Sequence, residues 1–582
     1  MFNDFWRRAQ TKVHIRLFDT AEDTIAALGR GGRALFIVLS LVLVVSSVGL
    51  LYLMKERLVV TVPSRGGNLT EGIIGSPRFI NPLLAISDAD RDLTALVYSG
   101  LLRATPQGTY QPDLANGYTV SDDGKTYTFV LRDNLTFHDG SPLTSADVLY
   151  TIQKAQDAGL KSPVRANWDG VTAEAPDAHT VRFTLHSAYA PFIENLTLGI
   201  LPKDRWTAVS DEEFPFSELN TEPVGSGPYQ LDTVSRSSSG IISSYELRSF
   251  DGYALGEPYL QTLSLKFYQN EGALLTALQS GDVDSASGIS PENLKTLPQD
   301  SIRTSPLNRV FAVFFNQNQS TVLRDPQVRQ ALNNSIDRQE LIDQVLSGYG
   351  IPLMGPIPPT LAPTTTPATA SSTAKLAAAA RAQLIAKGWK LGADGVLTKT
   401  TTGKNPQTTR FEFDLATANV PELRAAAEYL RVAWGQVGAR VNIKIFEQGD
   451  LSQNVIRPRK YDALLFGEVV GRELDLFAFW HSSQRNDPGL NIALYATPTA
   501  DKALQTLRTT ADPTERQQLL GTFLGELTKD LPAVFLYAPD FVYSVRNDIA
   551  GVDLGFIETP SDRFLSLPLW HRETDRVWPI FE

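Results

Sequence analysis

The chain contains a run of 21 residues without a charged side chain, from Ala34 to Met54. An α-helix rises about 1.5 Å per residue, so this run is about 30 Å long, which is the thickness of the hydrocarbon core of a bilayer. More than 500 residues follow it in the 582-residue chain. The sequence therefore predicts one transmembrane helix over residues 34–54 and a large domain tethered behind it.

A cleavable signal peptide is the main alternative for this run. The apolar core of a signal peptide is roughly 7–15 residues long and lies near the start of the chain. Here the apolar run is longer, 33 residues precede it, and no small-x-small cleavage motif stands before Lys55. A helix buried in a soluble core would carry polar residues on one face, and this run does not. We therefore expect an uncleaved anchor.

The basic residues on the two sides of the run predict its orientation. The residues before it include Arg7, Arg8, Lys12, Arg16, Arg30 and Arg33, and those after it include Lys55, Arg57 and Arg65. Positive residues favour the cytoplasmic side. The chain has no cysteine, which is compatible with an oxidising compartment. We expect residues 1–33 in the cytoplasm, a linker over 55–66, and an extracytoplasmic domain over 67–582.

Composition favours a folded domain and argues against a nucleic-acid partner. Apolar residues make up 42% of the chain and aromatic residues 9%, which is typical of globular proteins. The net charge is −11, and no block of lysine and arginine occurs after the anchor, so the electrostatic footprint of a nucleic-acid binder is missing from the sequence. No repeat of 20–50 residues is visible, which argues against a solenoid or a propeller.

Patterns of helix and strand alternate irregularly along the domain. Residues 127–132 (YTFVLR) and 181–186 (VRFTLH) show the period-two alternation of half-buried strands. Residues 145–158 (SADVLYTIQKAQDA) begin with a capping serine and carry apolar residues at helical spacing. Residues 355–373 (GPIPPTLAPTTTPATASST) have the composition of an exposed loop and precede a helix predicted over 375–386. The sequence thus predicts a mixed domain of helices and strands.

Motifs that carry catalysis or bind metals are missing from the sequence. The six histidines do not occur in pairs at helical metal-binding spacing, and they are His14, His138, His179, His186, His481 and His571. No HExxH, GxSxG or GxxxxGK[ST] motif is present. Gly225-Ser226-Gly227 is followed by Pro228, which favours a tight turn over a dinucleotide site. We therefore expect no catalytic residue, cofactor or metal, and a binding protein rather than an enzyme.

One stretch of 22 residues is specific enough to indicate a family. It is residues 127–148, YTFVLRDNLTFHDGSPLTSADV, and it resembles a signature that contains LRdgvkFhdGtpltAeDV. Further similar stretches follow in the expected order, at residues 71–83, 97–102, 110–114, 223–229, 278–284, 326–342 and 384–397. Together they resemble extracellular solute-binding protein family 5, the dipeptide- and oligopeptide-binding proteins of ABC importers. The resemblance runs from about Glu71 to Trp570.

The resemblance implies an α/β, two-lobed, periplasmic-binding-protein-like fold of type II, cluster C-like, whose chain crosses between the lobes twice. Lobe I is expected over 67–305 and 531–582, with an inserted subdomain over 105–225, and lobe II over 306–530. The implied function is a membrane-anchored substrate-binding component that closes on a peptide and delivers it to a permease. The permease and ATPase subunits would be separate chains, and the protein itself a monomer without a nucleic-acid partner.

The resemblance also implies an acidic residue of lobe II that meets the amine of the peptide. In the family this acid follows a strand that ends in Gly-Trp. Here the strand over residues 461–467 is followed by Glu468 in place of Trp, and the usual Asp position falls near Val470 or Gly471. Glu468, Glu473 and Asp475 are the candidate substitutes.

The remaining candidates are apolar or amide residues. Phe479 and Trp480 lie in LFAFWHSSQ at residues 476–484, a stretch that is similar to an aromatic pocket wall of the family. Asn81 lies in an Asn-Pro-Leu turn that is also similar to the family pattern. The candidate ligand-binding residues are therefore Glu468, Glu473, Asp475, Phe479, Trp480 and Asn81.

Other functions stay open on the sequence alone. Relatives in the family also bind nickel complexes, haem or oligosaccharides, so a non-peptide solute is one alternative. A sensor or envelope interaction module without a transport partner is a second, and an envelope hydrolase a third. Many relatives are lipoproteins held by an N-terminal cysteine, and since this chain has none, the apolar helix would replace the lipid as tether.

Overall fold

The structure is a computed structural model of the chain, and it describes residues 27, 29–58, 60–361, 372–401, 405–510 and 512–577. Most of the predicted cytoplasmic segment 1–33 and the centre of the predicted loop 355–373 therefore lie outside the described residues. Two parts of the chain are described separately: residues 1–64 with 573–582, and residues 65–572.

The secondary structure alternates as the sequence patterns predict. The strands are β1 Val60–Ser64, β2 Asn68–Ile74, β3 Leu102–Ala104, β4 Tyr110–Pro112, β5 Ala115–Val120, β6 Thr126–Leu131, β7 Val171–Asp177, β8 Thr180–Leu185, β9 Tyr229–Arg236, β10 Ile242–Ser249, β11 Thr262–Tyr268, β12 Ser285–Ser287, β13 Ile302–Pro306, β14 Arg309–Phe315, β15 Gly350–Pro352, β16 Lys390–Leu391, β17 Leu397–Thr400, β18 Thr408–Arg410, β19 Glu412–Ala418, β20 Arg440–Phe446, β21 Ala463–Val469, β22 Ala533–Val545 and β23 Glu573–Val577. The helices are α1 Arg30–Leu58, α2 Asp88–Val97, α3 Ser145–Gln156, α4 Phe192–Asn195, α5 Lys203–Trp206, α6 Glu271–Ser280, α7 Pro326–Asn334, α8 Arg338–Val345, α9 Thr373–Ala386, α10 Pro421–Val437, α11 Gln448–Asp450, α12 Phe477–Trp480, α13 Pro498–Leu507 and α14 Pro513–Asp530.

The first part of the chain contains α1 and a two-stranded sheet. α1 extends beyond the predicted 34–54 at both ends, and its segment Arg30–Leu50 is long and apolar enough to cross a membrane, with none of that window buried. β1 pairs antiparallel with β23, so that Val60 faces Val577. The prediction of a linker over 55–66 is therefore corrected: β-branched residues in VTVPS favour a strand, and the far end of the chain supplies its partner.

One mixed sheet runs through the second part of the chain. Its strand order is β20-β19-β21-β14-β22-β12-β2-β11-β10-β9, and β13 and β15 also pair with β22. β22 is the central strand: its first half pairs with β14 and β15, and its second half pairs with β12 and β13. Its sequence, AVFLYAPDFVYSV, is almost continuously apolar, which is typical of a strand buried on both faces.

Two large hydrophobic cores divide this sheet. We call lobe I the part around the core that includes residues 69–307 and 541–570, and lobe II the part around the core that includes residues 310–538. The chain passes from lobe I to lobe II at Leu307–Arg309 and returns within β22 at Pro539. The return therefore comes later than the predicted residue 531, because β22 pairs with lobe II strands up to Pro539.

A four-stranded antiparallel sheet, β5-β6-β8-β7, is inserted in lobe I. The helix α3 packs on it and begins with a capping box between Thr144 and Asp147, one residue before the predicted capping serine. Aromatic side chains fill the space beneath the sheet, with Phe183 in contact with Phe129, Trp168 and Phe192. This packing fixes the segment from Trp168 to Phe192, which leads into the space between the lobes.

Candidate functional site

The loop that follows β21 in lobe II is hydrogen-bonded to the segment where the chain crosses between the lobes. Asn308 lies in this crossing and is fully buried. Its side-chain amide donates to the carbonyl of Val470, and its side-chain oxygen accepts from the hydroxyl of Thr360. The Val470 amide in turn donates to the Asn308 carbonyl at 3.1 Å. The crossing therefore positions the loop over residues 470–475, which faces lobe I.

Arg472 in this loop forms ion pairs with lobe I. Its guanidinium is 3.0 Å from the carboxylate of Glu558 and 2.6 Å from that of Asp562, and it lies over the ring of Phe556. The side chain is only 7% exposed. Because the partners of Arg472 belong to lobe I, separating the lobes would break these ion pairs.

Asp475 at the end of the loop makes a second bridge to lobe I. Its carboxylate accepts hydrogen bonds from the Tyr189 hydroxyl at 3.0 Å and from the Arg508 guanidinium at 3.0 and 2.7 Å. The Arg508 guanidinium lies between the rings of Tyr189 and Phe477. Burial and the charge of Asp475 raise the pKa of Tyr189 to about 12, so its hydroxyl stays a donor. This bridge joins the inserted subdomain to lobe II.

A cavity of about 450 Å³ lies beside this bridge, between the inserted subdomain and lobe II. Its wall includes the aromatic side chains of Trp168, Tyr189 and Phe479 and the carboxylates of Glu194 and Asp475. A second space of about 820 Å³ shares Tyr189 and Asp475 with it and is also lined by Arg508. Ligand pockets commonly measure roughly 300–1,000 Å³, so either space has room for a short peptide.

Two lobe I carboxyl groups near the cavity hold protons at unusually high pH. Burial raises the pKa of Glu194 to about 7, against the opposing charge of Arg472. Burial and then the adjacent Glu194 raise the pKa of Glu558 to about 8. Two carboxyls that approach each other in a water-poor place disfavour each other's ionisation, so Glu194 and Glu558 share a proton although Arg472 opposes the rise of both pKa values.

The structure separates the six predicted site residues. Asp475 and Phe479 line the cavity. Glu473 is half-buried in the loop, and burial raises its pKa while Arg516 opposes the rise. The remaining three, Glu468, Trp480 and Asn81, are at least 96% buried.

Glu468 lies on β21 opposite Val310 and is enclosed. Neither carboxyl oxygen has a hydrogen-bond partner among the described residues, and burial raises its pKa well above the ordinary value. Burial without a partner disfavours the charged form of this carboxyl, and the enclosed side chain does not reach the wall of the cavity.

Trp480 and Asn81 have roles inside the lobes. Trp480 packs in the lobe II core against Phe314, Phe523 and Phe535. The Asn81 amide donates to Asn220 at 3.0 Å and its oxygen accepts from the backbone of Leu83 at 2.9 Å. The structure therefore places neither residue in the wall of the cavity, since the apolar ring and the amide both find their partners within their own lobe.

Sequence reasoning missed the lobe I half of the site. Tyr189, Glu194 and Glu558 carry no local motif, and the Tyr189–Asp475 contact joins residues 286 positions apart. Arg508 of lobe II also carries no local motif. The only available signal was the run YAPFIEN at residues 189–195, in which a proline precedes a short helix with an acidic residue. Among the described residues, no group of three or more His, Cys, Asp or Glu side chains is arranged to hold a metal.

Known proteins share both the sequence pattern and the fold. Residues 109–489 match the bacterial extracellular solute-binding proteins, family 5. Protein XP55 of Streptomyces lividans is 30% identical over 481 residues, which cover 81% of this chain and 83% of that protein. The oligopeptide-binding protein AppA of Bacillus subtilis is 26% identical over 498 residues, which cover 84% of this chain and 89% of AppA.

Solved structures superpose on the chain over most of its length. The structure of Bacillus subtilis AppA in complex with a nonapeptide matches with a TM-score of 0.66 and 24% identity, over 88% of this chain and 99% of that chain. The ABC transporter substrate-binding protein CtaP of Listeria monocytogenes matches with a TM-score of 0.73 and 26% identity, over 88% of this chain and 100% of that chain. These superpositions confirm the predicted α/β, two-lobed fold.

Proposed function

The chain belongs to the bacterial extracellular solute-binding proteins of family 5, as the signature at residues 127–148 predicts, and we propose that it captures peptides between its lobes for an ABC importer. The single observation that carries the proposal is the cavity of about 450 Å³ between the inserted subdomain and lobe II. A ligand in this cavity touches both lobes and therefore stabilises the state in which they are in contact.

The chemistry of the cavity wall favours a peptide. Phe479 offers a partly exposed apolar face for a ligand side chain, while the Glu194 carboxyl and the Tyr189 hydroxyl oxygen, whose proton is donated to Asp475, offer acceptors for polar groups. The relative AppA is an oligopeptide-binding protein and has been solved with a nonapeptide. The neighbouring space of about 820 Å³ gives room for a longer ligand of the same kind.

The membrane helix belongs to the same proposal. α1 would cross the bilayer once through residues 34–54, with residues 1–33 in the cytoplasm and the solute-binding domain outside. The excess of basic residues before the helix supports this orientation. The protein would act as a monomer beside permease and ATPase subunits on separate chains. A single transmembrane helix would keep the receptor near its permease without a lipid anchor.

Ligand-induced thermal stabilisation of the full-length chain in detergent tests the proposal. A ligand that binds only the folded state stabilises it by about 2.7 kcal/mol at a hundredfold excess over Kd. We expect pooled di- to hexapeptides to raise the Tm in proportion to the logarithm of their concentration, and to be recovered unhydrolysed. A chain that ignores all peptide pools and responds to a nickel–histidine complex, haem or an oligosaccharide would contradict peptide capture.

A further inference from the structure

Three carboxyl groups of lobe I lie around one guanidinium of lobe II where the two lobes touch. Arg472 is 3.0 Å from the carboxylate of Glu558 and 2.6 Å from that of Asp562. Glu194, on the short helix α4 of the inserted subdomain, is hydrogen-bonded through its side chain to Glu558. One positive charge therefore faces three groups that can each become negatively charged.

The main chain of lobe II covers these carboxyl groups. A Cβ atom at Gly471 would lie 3.0 and 3.1 Å from the two carboxyl oxygens of Glu194, which is closer than ordinary van der Waals contact. The next side chain, Arg472, is almost fully buried, and its guanidinium lies 4.9 Å from the ring centre of Phe556. Part of the enclosure around Glu194 and Glu558 is thus supplied by lobe II, and separating the lobes would let water reach them.

Acidic side chains of lobe II also face this cluster. Glu473 and Asp475 belong to the loop after β21, and the charges of both raise the pKa of Glu194. Two arginines of lobe II act on these acids: Arg516 opposes the raised pKa of Glu473, and Arg508 pairs with Asp475 at 2.7 Å. Lobe II thus brings further negative charge towards Glu194.

A tyrosine of lobe I faces the cluster as well. The hydroxyl of Tyr110 on β4 is enclosed, and the charges of both Glu194 and Glu558 act on it. Burial raises the pKa of Tyr110, so its hydroxyl stays uncharged. The charge of the cluster therefore depends on its carboxyl groups.

Ionisation of all three lobe I carboxyl groups would leave negative charge in this enclosed place without a matching cation. A proton on Glu194 reduces that excess, because the protonated group can donate to Glu558 while Glu558 keeps its ion pair with Arg472. Burial raises the pKa of Glu194 to about 7 and that of Glu558 to about 8, although Arg472 opposes both rises. The pair therefore shares a proton while the lobes are in contact.

We propose that closing the two lobes takes up a proton from water onto the Glu194–Glu558 pair, and that the pair returns this proton to water when the lobes separate. Acid then favours the closed arrangement, in which Gly471 and Arg472 cover the pair. Because both pKa values lie above the ordinary 4.5 of a glutamate, this preference is complete below pH 4.5 and is lost as the pH rises to about 8. The inference goes beyond the proposed function, since it concerns closure itself and holds for any ligand that fills the cleft.

The distance between the lobes of the ligand-free, full-length chain in detergent, measured at several pH values, tests the proposal. The sequence has no cysteine, so spin labels attach only at Asp122→Cys in lobe I and Thr522→Cys in lobe II, two exposed positions. Uptake of one proton changes an equilibrium by at most about tenfold per pH unit. We expect the ratio of short to long distances to fall by about tenfold or more between pH 5.5 and pH 7.5.

Glu194→Gln should remove most of this pH dependence, because glutamine resembles the protonated acid, and should keep the ratio at pH 7.5 close to the wild-type ratio at pH 5.5. Glu558→Gln removes the other half of the pair, should also reduce the pH dependence, and decides the matter if Glu194→Gln does not fold. Glu212→Gln is the matched control, because Glu212 is an exposed residue of lobe I and its replacement removes the same charge. This control should keep the wild-type pH dependence.

Two results would overturn this inference. One is a wild-type ratio of short to long distances that stays constant between pH 5.5 and pH 7.5. The other is a pH dependence that both Glu194→Gln and Glu558→Gln retain, which would point to another acid such as Asp540 on β22, whose pKa burial raises to about 6. Because the measurement uses no ligand, neither result bears on peptide capture, which the thermal unfolding experiment tests separately.

Discussion

Arg563 is a fully buried charged residue of lobe I that pairs with two carboxylates. It is 0% exposed, its guanidinium makes a bidentate contact with Asp92 at 2.8 and 2.6 Å, and its Nε donates to Glu71 at 3.0 Å. Glu71 also accepts from the Tyr543 hydroxyl on β22 at 2.7 Å. A residue near the end of lobe I is thereby tied to β2, α2 and the strand that crosses between the lobes.

Replacing Arg563 with leucine should destabilise the protein strongly. The change leaves Asp92 and Glu71 buried without their cation, and removing one partner of a buried ion pair typically costs about 3–5 kcal/mol. Urea unfolding of the variant should show this loss in the free energy of unfolding. Arg546→Leu is the control, because the Arg546 side chain, which pairs with Asp548, is 55% exposed, and such exposed ion pairs contribute about 0–1 kcal/mol. Similar losses in the two variants would contradict the buried network.

The raised pKa of Glu194 gives stability a specific pH dependence. The folded state keeps this proton up to about pH 7, whereas the unfolded chain releases it near its ordinary value of 4.5. Because the folded state binds more protons in this window, the free energy of unfolding falls as the pH rises from 4.5 to about 8. Glu194→Gln removes this loss and should be more stable than wild type by about 2 kcal/mol at pH 8.

Thermal or urea unfolding at pH 5 and pH 8 checks this expectation. At pH 5 the variant and wild type should differ little, because the glutamate is then largely protonated in the folded state. A variant whose stability relative to wild type is the same at both pH values would show that Glu194 titrates normally.

At the scale of elements, α1 and the β1–β23 pair make up the first described part of the chain. The helix has no charged residue between Ala34 and Met54, and β1 follows it after a single residue. β23 pairs with β1 along all five of its residues, so residues 573–577 hydrogen-bond to the strand that follows α1. A truncation that removes the anchor should therefore keep β1, because β23 would otherwise lose its hydrogen-bonded partner.

The full-length chain should stay with the membrane fraction through high-salt and carbonate washing, whereas a chain that begins at Val60 should be soluble. A 21-residue apolar helix is retained by the bilayer irrespective of charge screening, while a peripheral contact is not. Fractionation followed by N-terminal analysis measures both outcomes. Release of the full-length chain by carbonate, or cleavage near residue 55, would favour the signal-peptide alternative.

At the scale of the whole molecule, the two lobes of residues 65–572 touch through side chains of the chain itself. Asp475 joins Tyr189 to Arg508, and Arg472 joins lobe II to Glu558 and Asp562. These contacts cross the cleft that the ligand would bridge. These contacts favour the arrangement in which the lobes touch. A ligand therefore needs to supply less binding free energy to shift the protein to that arrangement.

Asp475→Ala should shift the ligand-free protein towards open arrangements. The variant loses the acceptor of Tyr189 and Arg508, and a change of about 1–2 kcal/mol in this equilibrium alters populations by roughly five- to thirtyfold. Because the chain has no cysteine, spin labels placed only at Asp122→Cys in lobe I and Thr522→Cys in lobe II report the distance directly. We expect longer and broader distance distributions, and weaker peptide binding.

Asp394→Ala serves as the control for this measurement. Asp394 pairs with Arg410 and Arg440 within lobe II, so its loss removes a carboxylate and two ion pairs without touching the cleft. Its distance distribution should match that of wild type. Equal distributions for Asp475→Ala and wild type would mean that this bridge does not bias closure.

The features that the sequence determined are those that depend on residues close together in the chain. The apolar run at 34–54 lies within α1, and the alternating segments 127–132 and 181–186 fall on β6 and β8 with a shift of one residue. Composition and periodicity over a few residues suffice for such elements, because backbone hydrogen bonding and burial of one face are local requirements. The family signature at 127–148 likewise predicted the two-lobed fold.

The candidate site was decided by tertiary structure. Sequence reasoning placed Asp475 in the cleft, but only the fold supplies Tyr189 and Arg508 as its partners and brings Glu194 of lobe I against Gly471 of lobe II. The same fold encloses Glu468, and burial raises the pKa of this carboxyl well above its ordinary value. The charge state of a side chain and its hydrogen-bond partners depend on which other side chains the fold brings next to it and on how much water remains between them. Neither is determined by the residues close to it in the sequence.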